Sequence, residues 1–249
     1  MKSDAMKIET RNHKLRDLLI ERYSNLERLN RQQRLRFFAK RLSWNLVVKG
    51  SYLLKRMFDI AASITLMVLL LPVFLGVALA IRLESPGPIL FKQKRVGRWG
   101  RLFTMWKFRS MYMDAEERKA ELMAQNEMAG GVTFKMKDDP RVTKVGKFIR
   151  KTSIDELPQL WNVLVGEMSL VGPRPPVPAE VDQYSLSDRR RLEVIPGITC
   201  IWQVSGRSEI PFDQQVELDV QYIESQSFWT DIKILLKTVP ALLFGTGAY

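Results

Sequence analysis

Asp155 and Glu156 stand next to each other, just after the cations Arg150 and Lys151, and a Pro173-Arg174-Pro175 corner follows downstream. Adjacent carboxylates ringed by cations suit a site that handles phosphate together with a divalent metal. Pro158 is tolerated in a helix only within its first turn, so a helix is expected to begin between Ser153 and Asp155. Leu157, Leu160, Trp161, Leu164 and Val165 would form its buried stripe, and Gly166 would end it. At a helix N-terminus the macrodipole favours negative charge, and the two cations add to that. Both carboxylates are therefore expected to be ionised, as a nucleophile and a metal ligand would be. Ser153 and Glu156 also match a capping box, so the pair taken alone is equally a structural helix cap.

The surroundings favour chemistry. Lys107, Arg109, Arg150, Arg174 and Arg207 each stand beside turn-forming residues rather than along a solvated helix face. An arginine between two prolines is held in stiff backbone, as a guanidinium clamping a phosphate or a base requires. Pro196-Gly197-Ile198-Thr199 and Ser205-Gly206-Arg207 are similar corners. Magnesium is the expected metal, held by a carboxylate and by substrate phosphates. A second acidic pair, Asp138-Asp139, leaves open a metal-dependent glycosyltransferase that holds its nucleotide-sugar there.

Composition removes other chemistries. The chain has one cysteine, Cys200, and one histidine, His13. An intrachain disulfide and a Cys/His zinc site are excluded. His13 reads as surface and Cys200 as a packed small residue. The net charge is +12, and its distribution is uneven. Residues 1–56 carry 15 Lys/Arg against 5 Asp/Glu, and residues 82–110 carry 8 against 1. Such blocks imply an anionic partner. The basic, aromatic stretch 92–109 would suit nucleic acid, but the apolar run beside it makes an anionic phospholipid membrane the better partner.

That run, Ile60–Ile81, holds 22 residues without a charge. As a helix it would be ~33 Å long, close to the ~30 Å of a bilayer's hydrocarbon. Pro72 sits near its middle, and both flanks are basic, with Lys55 and Arg56 before and Arg82 and Lys92 after. The positive-inside tendency wants both flanks on one side. A re-entrant hairpin bent near Pro72 satisfies that, and a kinked span does not. Residues 12–48 show helical spacing of apolar residues among cations, which suits an interfacial amphipathic helix or an oligomer contact such as a homodimer. Residues 91–111 suggest a β-hairpin or short extended strands, 112–128 an exposed helix, and 138–152 a turn followed by a basic helix. The C-terminal IKILLKTVPALLFG suggests an apolar helix interrupted by Pro240 that docks on a surface or on the anchor. No long alternation of strand and helix is present, which argues against a doubly wound sheet. The fold class expected is mostly α with short β elements.

Five segments together resemble the bacterial sugar transferases, the monotopic phosphoglycosyl transferases that act on polyprenyl phosphate. They are KRMFD (55–59), SPGPILFKQKRVGRWGRLFTMWKFRSM (85–111), the run from DPRVTKVG to VGPRP (139–175), PGITCIWQVSGR (196–207) and ELDVQYIESQSFWTDIKILLKT (217–238). The resemblance implies an N-terminal extension over 1–54, a re-entrant membrane helix over 55–84, and a compact cytosolic catalytic domain over 85–249 with interfacial amphipathic helices. It implies a monotopic enzyme on the cytosolic face of a bacterial inner membrane, moving a sugar 1-phosphate from a UDP-sugar to undecaprenyl phosphate and releasing UMP. Such a step initiates the assembly of a cell-surface glycan, of the exopolysaccharide, capsule or O-antigen kind. By resemblance Asp155 is the nucleophile and Glu156 serves magnesium. Lys107, Arg150, Arg174 and Arg207 handle phosphate or nucleotide, and Pro173–Pro175 recognises uridine. Two departures stand out: Leu71 precedes Pro72 where serine is common, and Cys200 replaces a common glycine. Only about 50 polar residues precede the anchor, so a stand-alone form is expected, without the further membrane helices of larger relatives. A membrane-tethered scaffold that does no chemistry is the competing reading, and it would not need the dyad.

Overall fold

The computed structural model describes residues 31–122, 139–206 and 210–244. The helix expected over 12–48 lies outside the described residues as far as Asn30 and is helical from Arg31, as part of α1 (Arg31–Leu69). The chain divides into two compact units, Met1–Leu53 and Leu54–Tyr249. The second unit carries the dyad, the strands and the helices from Leu71 onward.

A 60° bend separates Gly50–Leu69 from α2 (Leu71–Glu84). The break falls at Leu70 (φ −91°, ψ 7°), and Pro72 stands in the first turn of α2. There an N–H has no intrahelical partner to lose, so the proline starts a helix rather than kinking one. The Leu70 amide donates to the Leu66 carbonyl and the Phe74 amide to the Leu70 carbonyl, both at 2.9 Å, so hydrogen bonding continues on either side. The bend forms with Leu71 where a serine was common. Among the described residues no single helix is long and apolar enough to cross a membrane; only the bent pair together passes that test.

Each half of the pair meets its own core. Phe58, Ala62 and Met67 of α1 lie against Met105, Leu160, Val163, Val171, Tyr222 and their neighbours. Ile81 of α2 is buried with Phe108 and Ile149, beside Phe74 and Val77. Each fully buried aliphatic or aromatic side chain contributes about 1.5–3 kcal/mol. The opposite face of the pair is apolar and exposed: Val68, Leu69, Leu75, Leu79 and Leu83 are each more than 60% accessible.

The hairpin is present as expected. β1 (Leu90–Val96) pairs antiparallel with β2 (Leu102–Phe108), from Leu90 opposite Phe108 to Val96 opposite Leu102. Its turn closes with the Gly97 amide on the Arg101 carbonyl at 2.7 Å. α3 (Ala115–Leu122) begins the exposed helix, whose remainder lies outside the described residues. α4 (Lys144–Lys151) is the basic helix. After α5 (Gln159–Val165) come β3 (Ser169–Val171), the short α6 (Pro178–Val181) and β4 (Gly197–Thr199). β3 and β4 form a parallel pair that no sequence pattern announced. Gly172 and Gly197 permit it, because a Cβ on either would overlap the backbone of the other strand. α7 (Ile201–Ser205), α8 (Phe212–Glu224) and α9 (Phe228–Phe244) complete the described chain. α9 runs on through Pro240 instead of breaking there. The carbonyl that loses its partner is that of Leu236, a residue 68% exposed, so leaving it unpaired costs little. The molecule is mostly helical with short strands, in line with the class expected.

Candidate active site

The dyad sits in a 3₁₀ turn, Ile154–Glu156, between α4 and α5. α4 is capped by Thr143, whose hydroxyl oxygen accepts from the Gly146 amide at 2.8 Å. Glu84, the last residue of α2, adds its carboxylate to the amides of Lys144 (2.7 Å) and Val145 (2.9 Å). Ser153 then takes a left-handed conformation, φ 55°, with no side-chain capping bond. The capping box expected from Ser153 and Glu156 is therefore absent, and Glu156 is free for other contacts. The α-helix proper starts later than expected, at Gln159, with Pro158 as its cap. Gly166 ends it at φ 91°, as its position indicated. The buried face differs from the expected stripe. Gln159, Leu160, Asn162 and Val163 are buried, whereas Trp161 and Val165 are each 50% exposed. Apolar residues lie on both sides of α5, so composition alone did not reveal which side meets the core.

Asn162 was not foreseen as a site residue. Its amide nitrogen donates to the Thr104 carbonyl (2.7 Å) and to Glu167 (2.7 Å), and its oxygen accepts from the Trp106 amide (3.1 Å). A fully buried, fully used amide thus fastens α5 to β2 and sets Lys107, the next residue along the strand, against the dyad. Lys107 Nζ lies 2.6 Å from Glu156 Oε1 and 4.0 Å from Asp155 Oδ2. Arg174 Nη1 lies 3.7 Å from the same Glu156 oxygen.

The two carboxyls differ in character. Burial pushes the Asp155 carboxyl up to about 6; Lys107 pulls it back, the neighbouring Glu156 charge adds to the rise, and Arg150 and Arg174 oppose it. Burial also opposes the Glu156 charge, but Lys107 and Arg174 outweigh it and hold that carboxyl below the usual range. Both acids were expected to be ionised; the two differ in degree, Glu156 being firmly held as the anion and Asp155 less readily ionised. Asp155 is the less stabilised anion, because no donor stands within hydrogen-bond distance of it among the described residues. A poorly solvated carboxylate close to a cation is suited to attack an electrophile.

Arg174 reaches the dyad from the loop after β3. Three backbone carbonyls pin that loop: Pro173 accepts from the Gly197 amide (2.9 Å), Pro175 from Arg95 Nη1 (2.8 Å) and Pro176 from the Val96 amide (2.9 Å). The result is a cleft of about 200 Å³ lined by Arg95, Lys107, Glu156, Gln159, Arg174 and Pro175, with Met105, Gly197 and Ile198. Asp155 lies at its side through Lys107. Arg150 is near enough to act on the charge of Asp155 but does not line the cleft. Arg109 is placed elsewhere: its guanidinium donates to the Ser85 carbonyl (2.6 Å) and the Pro86 carbonyl (2.9 Å), holding the turn after α2. It does not line the cleft. Arg207 and Asp138 lie outside the described residues, as does His13. Asp139 is bound by Arg141 in a fork (2.7–3.2 Å), which leaves it no part in holding a nucleotide-sugar. Cys200 is buried, and burial drives its thiol well above the usual value, as befits a packing residue.

No three Asp, Glu, His or Cys side chains among the described residues form a metal cage. Magnesium does not require one; it commonly takes one or two carboxylates and completes its shell with water and phosphate. Glu156, ionised and lining the cleft, fits that donor set, and the adjacent Asp155 is the second carboxylate within reach.

A family model described as bacterial sugar transferase matches residues 50–245. The chain is 52% identical over 202 residues to the galactosyl transferase CpsE of Streptococcus agalactiae, covering 80% of this chain. It is 44% identical over 212 residues to an undecaprenyl-phosphate galactose phosphotransferase of Salmonella typhimurium, covering 84%. It is 43% identical over 212 residues to a UDP-galactose-lipid carrier transferase of Erwinia amylovora, also covering 84%. It spans 44% of the length of each of these three proteins. A family match over most of the chain, with relatives above 40% identity, means that the chain belongs to the bacterial sugar transferase family.

Proposed function

We propose that this chain transfers a sugar 1-phosphate from a UDP-sugar to undecaprenyl phosphate through a covalent intermediate on Asp155. The observation that carries the reading is the pairing of a buried, weakly solvated Asp155 with Glu156 and Lys107 beside a cationic cleft. The names of the Salmonella and Erwinia relatives supply the acceptor and donor classes. An Asp155 oxygen attacks the sugar-linked phosphorus, the bond from that phosphorus to the bridging oxygen breaks, and UMP leaves with the electron pair. An undecaprenyl phosphate oxygen then attacks the same phosphorus and frees the carboxylate. No net proton transfer is needed in either step. Lys107 and Arg174 neutralise the phosphoryl oxygens as charge shifts toward the leaving group. Magnesium held by Glu156 would supply further neutralisation of the diphosphate. The stiff Pro173–Pro175 corner supports a nucleotide contact at the cleft's rim.

The anchor belongs to the same reading. A pair of helices bent by 60°, apolar on its outer face and basic at both ends, suits a hairpin that enters and leaves the cytosolic face of the bacterial inner membrane. This would hold the dyad where a lipid phosphate arrives.

The test is Asp155→Asn in purified protein given UDP-galactose, undecaprenyl phosphate and magnesium. UMP release should fall by about 10³-fold or more. Near-full UMP release by the variant would overturn the covalent step. UDP as the product of the wild type would point instead to direct glycosyl transfer.

A further inference from the structure

We propose that Arg95 is a third cation of the cleft, which binds the donor's diphosphate together with Lys107 and Arg174. The inference rests on the donor reading above and adds a residue that carried no role in the sequence.

Arg95 is 9% exposed and lines the cleft. Its three hydrogen bonds all go to neutral oxygens: Nε and Nη2 to Gln93 Oε1 (3.0 and 2.7 Å), Nη1 to the Pro175 carbonyl (2.8 Å). Among the described residues no carboxylate forms an ion pair with it. A buried guanidinium without a counter-ion is costly, since an arginine cannot readily shed its proton. Burial and the nearby Arg174 charge do lower its pKa, to about 10, and the more distant Glu180 and Glu156 offset only part of this. The other two cations have acidic neighbours: Lys107 lies 2.6 Å from Glu156 and 4.0 Å from Asp155, and Arg174 lies 3.7 Å from Glu156. Arg95 is the one of the three without a carboxylate partner among the described residues. A nucleotide-sugar brings one negative charge on each of its two phosphates, which supplies a partner for it. Gln93 and Pro175 fix the fork, so that its remaining N–H groups need not be ordered when the donor binds.

Two variants separate a phosphate contact from a strut under Pro175. Arg95→Gln removes the charge. Gln93→Glu keeps the fork and its bonds but supplies the absent counter-ion beside it. Calorimetric titration of the full-length protein with UDP, in magnesium chloride at fixed salt, should show about tenfold weaker binding for each, the loss of one hydrogen bond to a charged group. Gln93→Glu should at the same time leave Tm equal or raised, and the KM for undecaprenyl phosphate should not move in either variant. Unchanged UDP affinity in Gln93→Glu would overturn the proposal and make Arg95 a strut. That outcome decides even if Arg95→Gln does not fold. Failure of the wild type to bind UDP would sink the donor reading itself, and this one with it, whereas wild-type binding with an indifferent Gln93→Glu sinks only the role of Arg95.

Discussion

A single amide, Asn162, shows how much of the site depends on residues that do no chemistry. It satisfies Trp106, Thr104 and Glu167 at once from a position without solvent. Asn162→Leu would strand the Trp106 amide and the Thr104 carbonyl, each at about 1–3 kcal/mol, while the exposed Glu167 turns to water. The expected outcome is a Tm drop of roughly 5–10 °C and a fall in kcat larger than any change in KM for the donor, because Lys107 loses its register with the dyad. A calorimetric scan and steady-state kinetics check this. Asp139 offers a cleaner test at the same scale. Burial opposes its charge, but the Arg141 fork prevails and lowers its pKa. A carboxyl lowered on folding contributes stability above its unfolded value, near 4, and loses it as pH falls through the folded value. Asp139→Asn should thus lower Tm by roughly 3–6 °C at pH 7, with the gap to the wild type closing below pH 4. Thermal scans across pH would show an unclosing gap if the ion pair were not its cause.

Elements explain why the dyad stays in place. Arg56, near one end of the bent pair, donates to the Val163 (2.6 Å) and Leu164 (2.8 Å) carbonyls at the end of α5. Glu84, at the pair's other end, caps the start of α4. The turn with Asp155 and Glu156 lies between these two helices, so the bent pair grips both of its supports. Lys55 adds a buried bond to Asp231 (2.5 Å), and Tyr222 completes that cluster. Glu84→Gln should cost about 0.5–1 kcal/mol, and Arg56→Met about 1–2 kcal/mol, because the Leu164 carbonyl loses its donor while that of Val163 keeps the Gly166 amide. Amide hydrogen exchange should quicken in residues 153–157 in both variants while the β1–β2 hairpin stays protected. Equal quickening everywhere would mean global destabilisation rather than a local grip.

What the sequence disclosed follows the same division. The dyad, the Pro-Arg-Pro corner, the hairpin and the Gly166 stop were legible because turn chemistry and residue type determine them locally. The parallel β3–β4 contact was hidden, because it depends on two glycines far apart in the chain. The places of Arg109 and Arg95 were hidden for a similar reason. Both are arginines near turns, and only packing shows that the first holds the carbonyls of Ser85 and Pro86 while the second lines the cleft.

At the scale of the molecule, the outer face of the bent pair is a contiguous apolar surface that water alone would penalise. A hairpin and a span differ in one observable. Cysteines introduced at Tyr52 and Arg101, both exposed, should react with an impermeant maleimide from the same side of sealed vesicles, the buried Cys200 giving little background. Labelling from opposite sides would replace the hairpin by a kinked span.

The central claim concerns Asp155, and intact-protein mass spectrometry tests it most directly. Wild-type protein mixed with magnesium and UDP-galactose, without undecaprenyl phosphate, and quenched rapidly, should gain the mass of one hexose phosphate. Peptide mapping should place it on Asp155, and undecaprenyl phosphate should discharge it. Full turnover with the lipid present, but no adduct at any quench time and none on that side chain, would contradict the account.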